Sequence, residues 1–237
     1  MNATLRDLDL SANPIEDAGA VSLGNALRCN SSLQTLMLRD CSISDAGVAA
    51  LAEGLMTNGA LETLHMGTND ITVLGATPLA CTLCSNSVLK HLDLSNSRGI
   101  GNAGALEIAD ALRVNATLHS LDLSRCRVDD LGATVLGQVL QANRSLAVLN
   151  LSQNQITEVG GAACIAAWAQ EDATLMILDL RYNKHAGAGN EALLVQGKTE
   201  GGHDWWEMMP ELLRPRLFSR EESVPERDDE GSDDELL

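Results

Sequence analysis

One leucine pattern constrains this chain more than any other sequence feature, because it returns at a nearly fixed interval. The steps between successive copies are 28, 28, 28, 29, 28 and 29 residues. The first leucine of each copy is Leu5, Leu33, Leu61, Leu89, Leu118, Leu146 or Leu175. A period of about 20 to 50 residues is typical of a stacked array, in which each repeat contacts its neighbours. The sequence therefore predicts a solenoid.

Each repeat combines a strand pattern with a helix pattern. Leu8 and Leu10 alternate with polar residues, as in a short strand with one buried face. Later in the repeat, apolar residues recur every four positions and predict one buried helix face. Predicted N-caps are Ser44, Thr72, Asp129 and Thr157. Predicted helix ends, expected in the left-handed conformation, are Asn58, Asn86, Asn115 and Asn143.

A single repeat of this kind cannot bury its own leucines, so stacking is required. The consensus Leu-x-x-Leu-x-Leu-x-x-Asn/Cys resembles the leucine-rich repeats of the ribonuclease-inhibitor-like subfamily, over residues 2 to about 197. This resemblance implies an α/β fold: a right-handed β-α superhelix forming a horseshoe segment, with a concave parallel sheet and convex helices. We therefore expect seven leucine-rich repeats in residues 1–197.

Three local features depart from a regular array. Repeat four is one residue longer, so Arg98 and Gly99 are expected to bulge at the rim of the concave face. The first strand begins near the start of the sequence, which leaves its edge open for a partner or for further repeats. Residues 198–218 include Trp205 and Trp206, and form either a C-terminal cap or a docking segment.

Charge and hydropathy narrow the classes of partner. The net charge is −17, and the expected disordered tail at 219–237 holds nine acidic residues against two arginines. An acidic chain of this kind argues against nucleic acid and anionic membranes as partners.

No apolar run is long enough for a membrane span, and the start of the chain is unlike a signal peptide. We expect a cytoplasmic protein and not a secreted one, and cytoskeletal, ciliary and nuclear locations all stay open.

Concave side chains are the candidate partner-binding residues. The predicted set is Asp9, Arg39, His65, His91, Asp93, Asp122, Asn150, Asp179, Arg181 and Tyr182, together with Trp205 and Trp206. Two interpretations remain open for the acidic members at one strand position: an ordinary solvated strand, or a recognition stripe for a basic protein surface. A metal site at His65, His91 and Asp93 is disfavoured, because an open sheet lacks the closed geometry that metals need.

The functional prediction is a non-catalytic protein-protein interaction scaffold with no cofactor, no metal and no small-molecule substrate. The sequence shows no phosphate-binding glycine motif and no nucleophile beside a base in one predicted pocket. Cys81 and Cys84 form a lone C-x-x-C without a second pair, which does not indicate a zinc site. The alternative is GTPase activation, because Ran GTPase-activating proteins resemble this chain in repeat type and acidic tail. No loop motif supports a transfer of their functional residues.

Overall fold

The computed structural model describes residues 2–169, 174–184 and 194–196, the last segment as backbone. The chain divides into two compact units, Met1–Lys198 and Thr199–Leu237. The first unit carries the repeat array. The predicted cap or docking segment at 198–218, with Trp205 and Trp206, and the predicted tail at 219–237 lie outside the described residues.

Strands and helices alternate along the first unit. Its strands are β1 (Asp7–Asp9), β2 (Thr35–Met37), β3 (Thr63–His65), β4 (His91–Asp93), β5 (Ser120–Asp122), β6 (Val148–Asn150), β7 (Ile177–Asp179) and β8 (Leu194–Gln196). Its helices are α1 (Glu16–Leu27), α2 (Asp45–Leu55), α3 (Val73–Ser85), α4 (Gly101–Leu112), α5 (Asp130–Leu140) and α6 (Glu158–Trp168). The predicted helical positions of repeat seven lie outside the described residues.

The strands form one open sheet in chain order, which confirms the predicted fold class. Strands β1 to β7 are parallel, and the middle leucine of each strand pairs with that of the next, as in Leu36 with Leu64. Strand β8 pairs antiparallel with β7, a reversal that the repeat pattern does not predict. Within the described residues β1 pairs only with β2, so its outer edge is open as expected.

The core lies between the sheet and the helices. The strand leucines and the apolar residues at every fourth helical position are buried, for example Leu64, Leu79 and Leu136. Burial is incomplete in the first repeat, where Leu5 is 42% exposed and Leu8 and Leu10 are only partly buried. Among the described residues these leucines have one neighbouring repeat instead of two, which accounts for their exposure in this structure.

Buried asparagines at the helix ends connect each repeat to the preceding one. In Asn58, Asn86, Asn115 and Asn143, Nδ2 donates to carbonyls of the preceding repeat, and Oδ1 accepts from backbone N–H groups two and three residues ahead. The predicted left-handed conformation is wrong: Asn86 has φ −74° and ψ 125°, and none of the four has a positive φ. The presence of asparagine at these four helix ends is explained by its hydrogen bonds to the preceding repeat.

A second set of contacts joins the loops that follow the strands. Asn69 donates to the carbonyls of Leu38 and Met66 and accepts from the N–H groups of Cys41 and Ile43. Asn154 and Asn183 make the same type of contacts, and the thiols of Cys41 and Cys126 also contact a carbonyl of the preceding repeat. These two buried cysteines therefore have a structural role between repeats.

Helix N-termini are held by acidic or amide side chains from the preceding helix. Asp17 accepts from the N–H groups of Ser44 and Gly47 and from the Ser44 hydroxyl. Hydrogen bonding from the Ser44 hydroxyl, reinforced by the two backbone groups, lowers the pKa of Asp17. Ser44 makes no side-chain cap of its own helix, contrary to prediction. The predicted caps are confirmed at Thr72, Asp129 and Thr157.

Candidate partner-binding surface

The concave face is formed by the first and third residues of each strand and the residue two positions beyond. It is open at β1, where Asp7 and Asp9 are exposed, and partly exposed at β2. From β3 onward most of these side chains are buried; His65 is 3%, Asp93 2% and Asp179 1% exposed. The expectation of a solvated strand face is wrong there. Neighbouring parallel strands lie about 4.8 Å apart, so polar side chains in register cover and bond one another.

Asp93 is the centre of the polar contacts on β3 and β4. Its Oδ1 accepts from the Ser95 N–H at 2.8 Å, while Oδ2 lies 3.4 Å from His65 Nδ1 and 4.0 Å from Arg39 Nη1. Burial alone would raise its pKa. The hydrogen bonds from His65 and Ser95 outweigh that effect and hold the pKa of Asp93 at about 2. Asp93 is therefore a carboxylate at neutral pH.

Asp122 occupies the same register position on β5, directly beside Asp93. Its Oδ1 accepts from the Ser124 N–H and its Oδ2 from Asn150 Nδ2, at 2.8 and 2.9 Å. Burial, together with the negative charge of Asp93, raises the pKa of Asp122 to about 6. Two adjacent carboxylates therefore have pKa values moved in opposite directions.

The far end of the concave face holds a tight ion pair. Arg181 Nε and Nη2 donate to the two oxygens of Asp179 at 2.9 and 2.6 Å, a bidentate arrangement. Asp179 side-chain contacts, with burial opposing them, raise the pKa of Arg181. Two residues that the sequence placed separately in the candidate set are thus one structural unit.

Beyond each of the strands β1 to β7 lies a residue with a left-handed backbone, and these residues form a row along the rim of the concave face. This rim row, with φ between 55° and 59°, consists of Ala12, Asp40, Thr68, Asn96, Arg125, Gln153 and Tyr182. Tyr182 is 45% exposed, and Arg125 Nε donates to Gln153 Oε1 in the next repeat. The predicted bulge at Arg98 and Gly99 is exposed beside the same rim.

The two concave histidines are not joined into a metal site. Burial is the main reason that the pKa of His91 falls to about 4, with His119, His65 and Lys90 adding to the effect, so its ring is neutral at pH 7. In the part of the chain that the structure describes, no three His, Cys, Asp or Glu side chains are arranged to hold a metal ion. Cys81 and Cys84 are exposed on α3.

Sequence reasoning missed two features of this unit. Gly67 is the only glycine at its concave position, where a Cβ atom would lie 2.4 Å from Ser95 Oγ, and this difference is visible once the repeats are aligned. Exposed apolar side chains also mark the start of three helices, at Leu74, Leu131 and Val159, which are 72%, 59% and 70% exposed. Among residues 2–169, 174–184 and 194–196, no helix has the length and hydropathy to cross a membrane.

Five segments match the family described as Leucine Rich repeat, at residues 2–24, 29–52, 85–109, 114–137 and 142–163. The sequence is 29% identical over 109 residues to leiomodin-1 of rat and of human, covering 46% of this chain and 17% of those proteins. It is also 33% identical over 69 residues to the mouse centrosomal protein of 78 kDa, covering 29% of this chain and 9% of that protein. The chain thus matches only a small part of these relatives.

One solved structure shows the same type of fold. The Caenorhabditis elegans tropomodulin C-terminal domain is similar with a TM-score of 0.51 and 16% identity, over 60% of this chain and 86% of that one. A structure titled Leiomodin-1 Actin-Binding Site 2 matches with a TM-score of 0.47 and 27% identity, over 48% of this chain and 68% of that one. On the repeat matches and the open parallel sheet, the chain belongs to the leucine-rich repeat proteins.

Proposed function

We propose that this chain is a non-catalytic protein-interaction scaffold that binds a partner protein through its concave sheet. The observation that carries the proposal is the row of side chains in register from Asp9 to Asp179, which are polar or charged on every parallel strand except β2, where Met37 stands. Seven parallel strands at about 4.8 Å give a face roughly 30 Å wide, which suits a macromolecule better than a small molecule. The paired carboxylates Asp93 and Asp122 favour a basic patch on that partner.

The contacts within the row support rigid recognition. Arg181 is fixed by Asp179, and Asp122 by Asn150, before any partner arrives. Side chains that are already ordered lose less conformational entropy on binding. Interactions of this type contribute mainly to specificity and orientation, while the exposed residues at β1 and the rim offer the accessible contacts.

A cytoskeletal partner fits the sequence relatives. Leiomodin-1 is similar over 109 residues, and a domain of leiomodin-1 is titled an actin-binding site, so actin is the first partner to test. The similarity to a centrosomal protein agrees with a cytoskeletal location. We further infer a cytoplasmic protein whose 28- and 29-residue repeats belong to the ribonuclease-inhibitor-like subfamily. The relatives give no support to GTPase activation, which we do not propose.

Co-sedimentation with actin filaments and titration against monomeric actin test the proposal. Asp9→Arg and Arg39→Glu reverse concave charges and are expected to weaken binding at least fivefold. Glu107→Arg, on the exposed side of α4, is the matched control and should bind as the unmodified chain does. Equal binding by all three variants would contradict the concave site, and no binding to either form of actin would remove actin as the partner.

A further inference from the structure

Basic side chains gather on one edge of the array, although the chain as a whole carries a net charge of −17. This edge is formed by the loops that lead from each strand into the following helix. We call its positive part the basic edge, and its members are Arg98, Arg125, Arg127 and Lys184. Arg98, Arg127 and Lys184 are exposed, and Arg125 is partly exposed. Solvent therefore reaches a cluster of positive charge on an acidic protein.

Backbone hydrogen bonds hold these loops side by side. The N–H groups of Asn96 and Gly101 donate to carbonyls on the loop of repeat five, at 2.8 and 3.0 Å. Arg98 lies between these two donors, so its segment runs beside Arg125 and Arg127. Bonds of the same kind, each 2.8 Å long, connect repeat five to repeat six and repeat six to repeat seven. At about 4.8 Å per repeat, the basic edge extends over roughly 15 Å.

The positive charges of the basic edge are not neutralised within the described residues. Basic side chains elsewhere contact carboxylates: Arg28 lies 2.6 Å from Glu53, Lys90 2.9 Å from Glu62 and Arg113 3.0 Å from Asp110. No member of the basic edge makes an ion pair with a described carboxylate, and Arg125 Nε donates to the amide oxygen of Gln153. The guanidinium groups of this edge therefore keep most of their five N–H donors for a partner.

Acidic residues at the same edge do not cancel this charge. Asp129 and Asp130 accept hydrogen bonds from the starts of α5 and α6. Beside Arg98 the carboxylate is absent, because Val73 stands where repeat five has Asp130, and α4 has no acidic residue in its first turn. Asp70 lines the same surface depression as Arg98 but makes no ion pair with it. Positive charge is therefore least opposed at the loop of repeat four, next to the two arginines of repeat five.

Exposed apolar side chains accompany the basic edge. Leu74, Leu131 and Val159 are each the second residue of a helix, so they lie at the same end of the array as the loops. Tyr182 ends the rim row and is also exposed. Arginine and aromatic residues are enriched at protein interfaces, and exposed apolar side chains beside them add contact area. The composition of this edge is therefore that of a protein-binding surface.

We propose that the basic edge binds an acidic segment of a partner protein, in which aspartate or glutamate residues are interspersed with apolar ones. The proposal rests on the protein-binding function proposed above, but it assigns a surface and a partner chemistry different from those of the concave carboxylates. Guanidinium groups pair with carboxylates in a bidentate geometry. A length of roughly 15 Å corresponds to about five extended residues, so one short segment can contact the whole edge. Nucleic acid fits less well, because exposed apolar side chains offer no contact to a phosphate backbone.

Fluorescence anisotropy of a short labelled peptide, in which pairs of glutamates alternate with leucine, measures this interaction with the full chain. The control peptide has glutamine in place of every glutamate. We expect saturable binding of the glutamate peptide that weakens with added salt, and about tenfold lower affinity for the glutamine peptide. Labelled single-stranded oligothymidylate tests nucleic acid, and an affinity equal to that of the glutamate peptide would overturn the assignment to an acidic protein segment.

Charge reversal locates the site. Arg98→Glu combined with Arg127→Glu should weaken binding of the glutamate peptide about tenfold. Arg28→Glu combined with Arg113→Glu is the matched control, because it changes the net charge by the same amount at exposed arginines of the opposite helix ends. This control should bind as the unmodified chain does, and circular dichroism shows that each variant has folded.

The apolar contribution is tested at a single position. Leu131→Ser should weaken the glutamate peptide about threefold, since an exposed apolar contact is lost. Val114→Ser removes a similarly exposed apolar side chain just beyond the far end of α4 and should change nothing. Equal effects of the two serine variants would overturn the apolar part of the inference.

Specific outcomes separate this inference from the broader function. Equal affinity for the two peptides, or equal weakening by the two arginine pairs, would overturn the basic edge as a binding surface. If Asp9→Arg and Arg39→Glu still weaken partner binding in that case, the concave function stands without the basic edge. If those two variants change nothing while the glutamate peptide depends on Arg98 and Arg127, the basic edge stands and the concave site fails.

Discussion

Replacing Asn115 with alanine tests whether the asparagine contacts between repeats stabilise the array. Asn115 is 6% exposed, and Nδ2 donates to the carbonyls of Leu83 and Asn86 at 2.8 and 3.4 Å. Its Oδ1 accepts from the N–H groups of Thr117 and Leu118 at 3.0 and 2.8 Å. Asn115→Ala leaves several buried backbone groups unpaired, each destabilising by about 1 to 3 kcal/mol. Allowing for relaxation and water entry, we expect a loss of about 3 to 5 kcal/mol.

Asn30→Ala is the matched control, because Asn30 holds the same position one repeat from the open edge. It is only part-buried, and its Nδ2 reaches a single acceptor, the Asn2 carbonyl at 3.2 Å. Water can replace most of what is lost, so the expected effect is about 1 kcal/mol. Urea unfolding followed by circular dichroism measures both variants. The central change should also divide the array and lower the cooperativity of unfolding, since each repeat contacts only its neighbours.

A charged variant separates donor from acceptor. Asn115→Asp keeps an oxygen for the two N–H groups but places a second oxygen against the Leu83 carbonyl, 2.8 Å from the present Nδ2. The protonated acid can donate there, whereas the carboxylate cannot, so this variant should be less stable at neutral than at acidic pH relative to the unmodified chain. A loss below about 1 kcal/mol for Asn115→Ala, or equal losses at Asn30 and Asn115, would refute the reasoning.

Three further predictions concern single side chains. The pKa of Asp122 is raised to about 6 from 3.8, so its contribution to stability is full below about pH 4 and is lost as pH rises through 6. Asp122→Asn should therefore raise the free energy of unfolding by about 1 to 2 kcal/mol near pH 7, and this difference should vanish in acid. An unchanged pH profile of urea unfolding would contradict this. Ser97 is fully buried, and its unpartnered Oγ lies where four other repeats carry asparagine and two carry cysteine. Ser97→Asn should add about 1 kcal/mol to the stability measured by thermal unfolding, and a loss of stability would show that the loop lacks room. A Cβ at Gly54 would lie 2.3 Å from the Gly24 carbonyl oxygen, so Gly54→Ala should destabilise the protein by about 1 to 3 kcal/mol. Gly59→Ala is the control: no atom lies within 4 Å of its Cβ position, so this variant should keep its stability.

The fold could be predicted because its signals are local and repeated. The alternation of Leu8 and Leu10 with polar residues predicts a strand. The four-residue spacing of Gly47, Leu51 and Leu55 in the next repeat predicts a helix with one buried face. Stacking follows from the inability of one repeat to bury these residues. The direction of strand β8 could not be predicted, because it depends on pairing with β7 and not on a repeated sequence pattern.

The chemistry of the concave face was less predictable, because it depends on contacts between residues one repeat apart. The sequence places His65 and Asp93 on one face, but only their register brings the ring against the carboxylate. The same applies to Asp17, whose bonds to Ser44 and Gly47 cross 27 and 30 residues. Residue preference predicts a left-handed backbone at Asn86. In the structure its side chain donates a hydrogen bond to the Leu55 carbonyl, and the backbone is extended.

The rim row has a consequence for how such a scaffold can change its partner. Its φ angles are nearly constant although the side chains include Ala12, Thr68, Arg125 and Tyr182. A left-handed non-glycine residue is disfavoured by about 1 kcal/mol, and the hydrogen bonds on either side hold it there regardless of the side chain. In the rim row, the conformation of the main chain therefore does not depend on which side chain is present. New binding preferences can be installed at these positions, by natural selection or by grafting, without redesigning the protein beneath them.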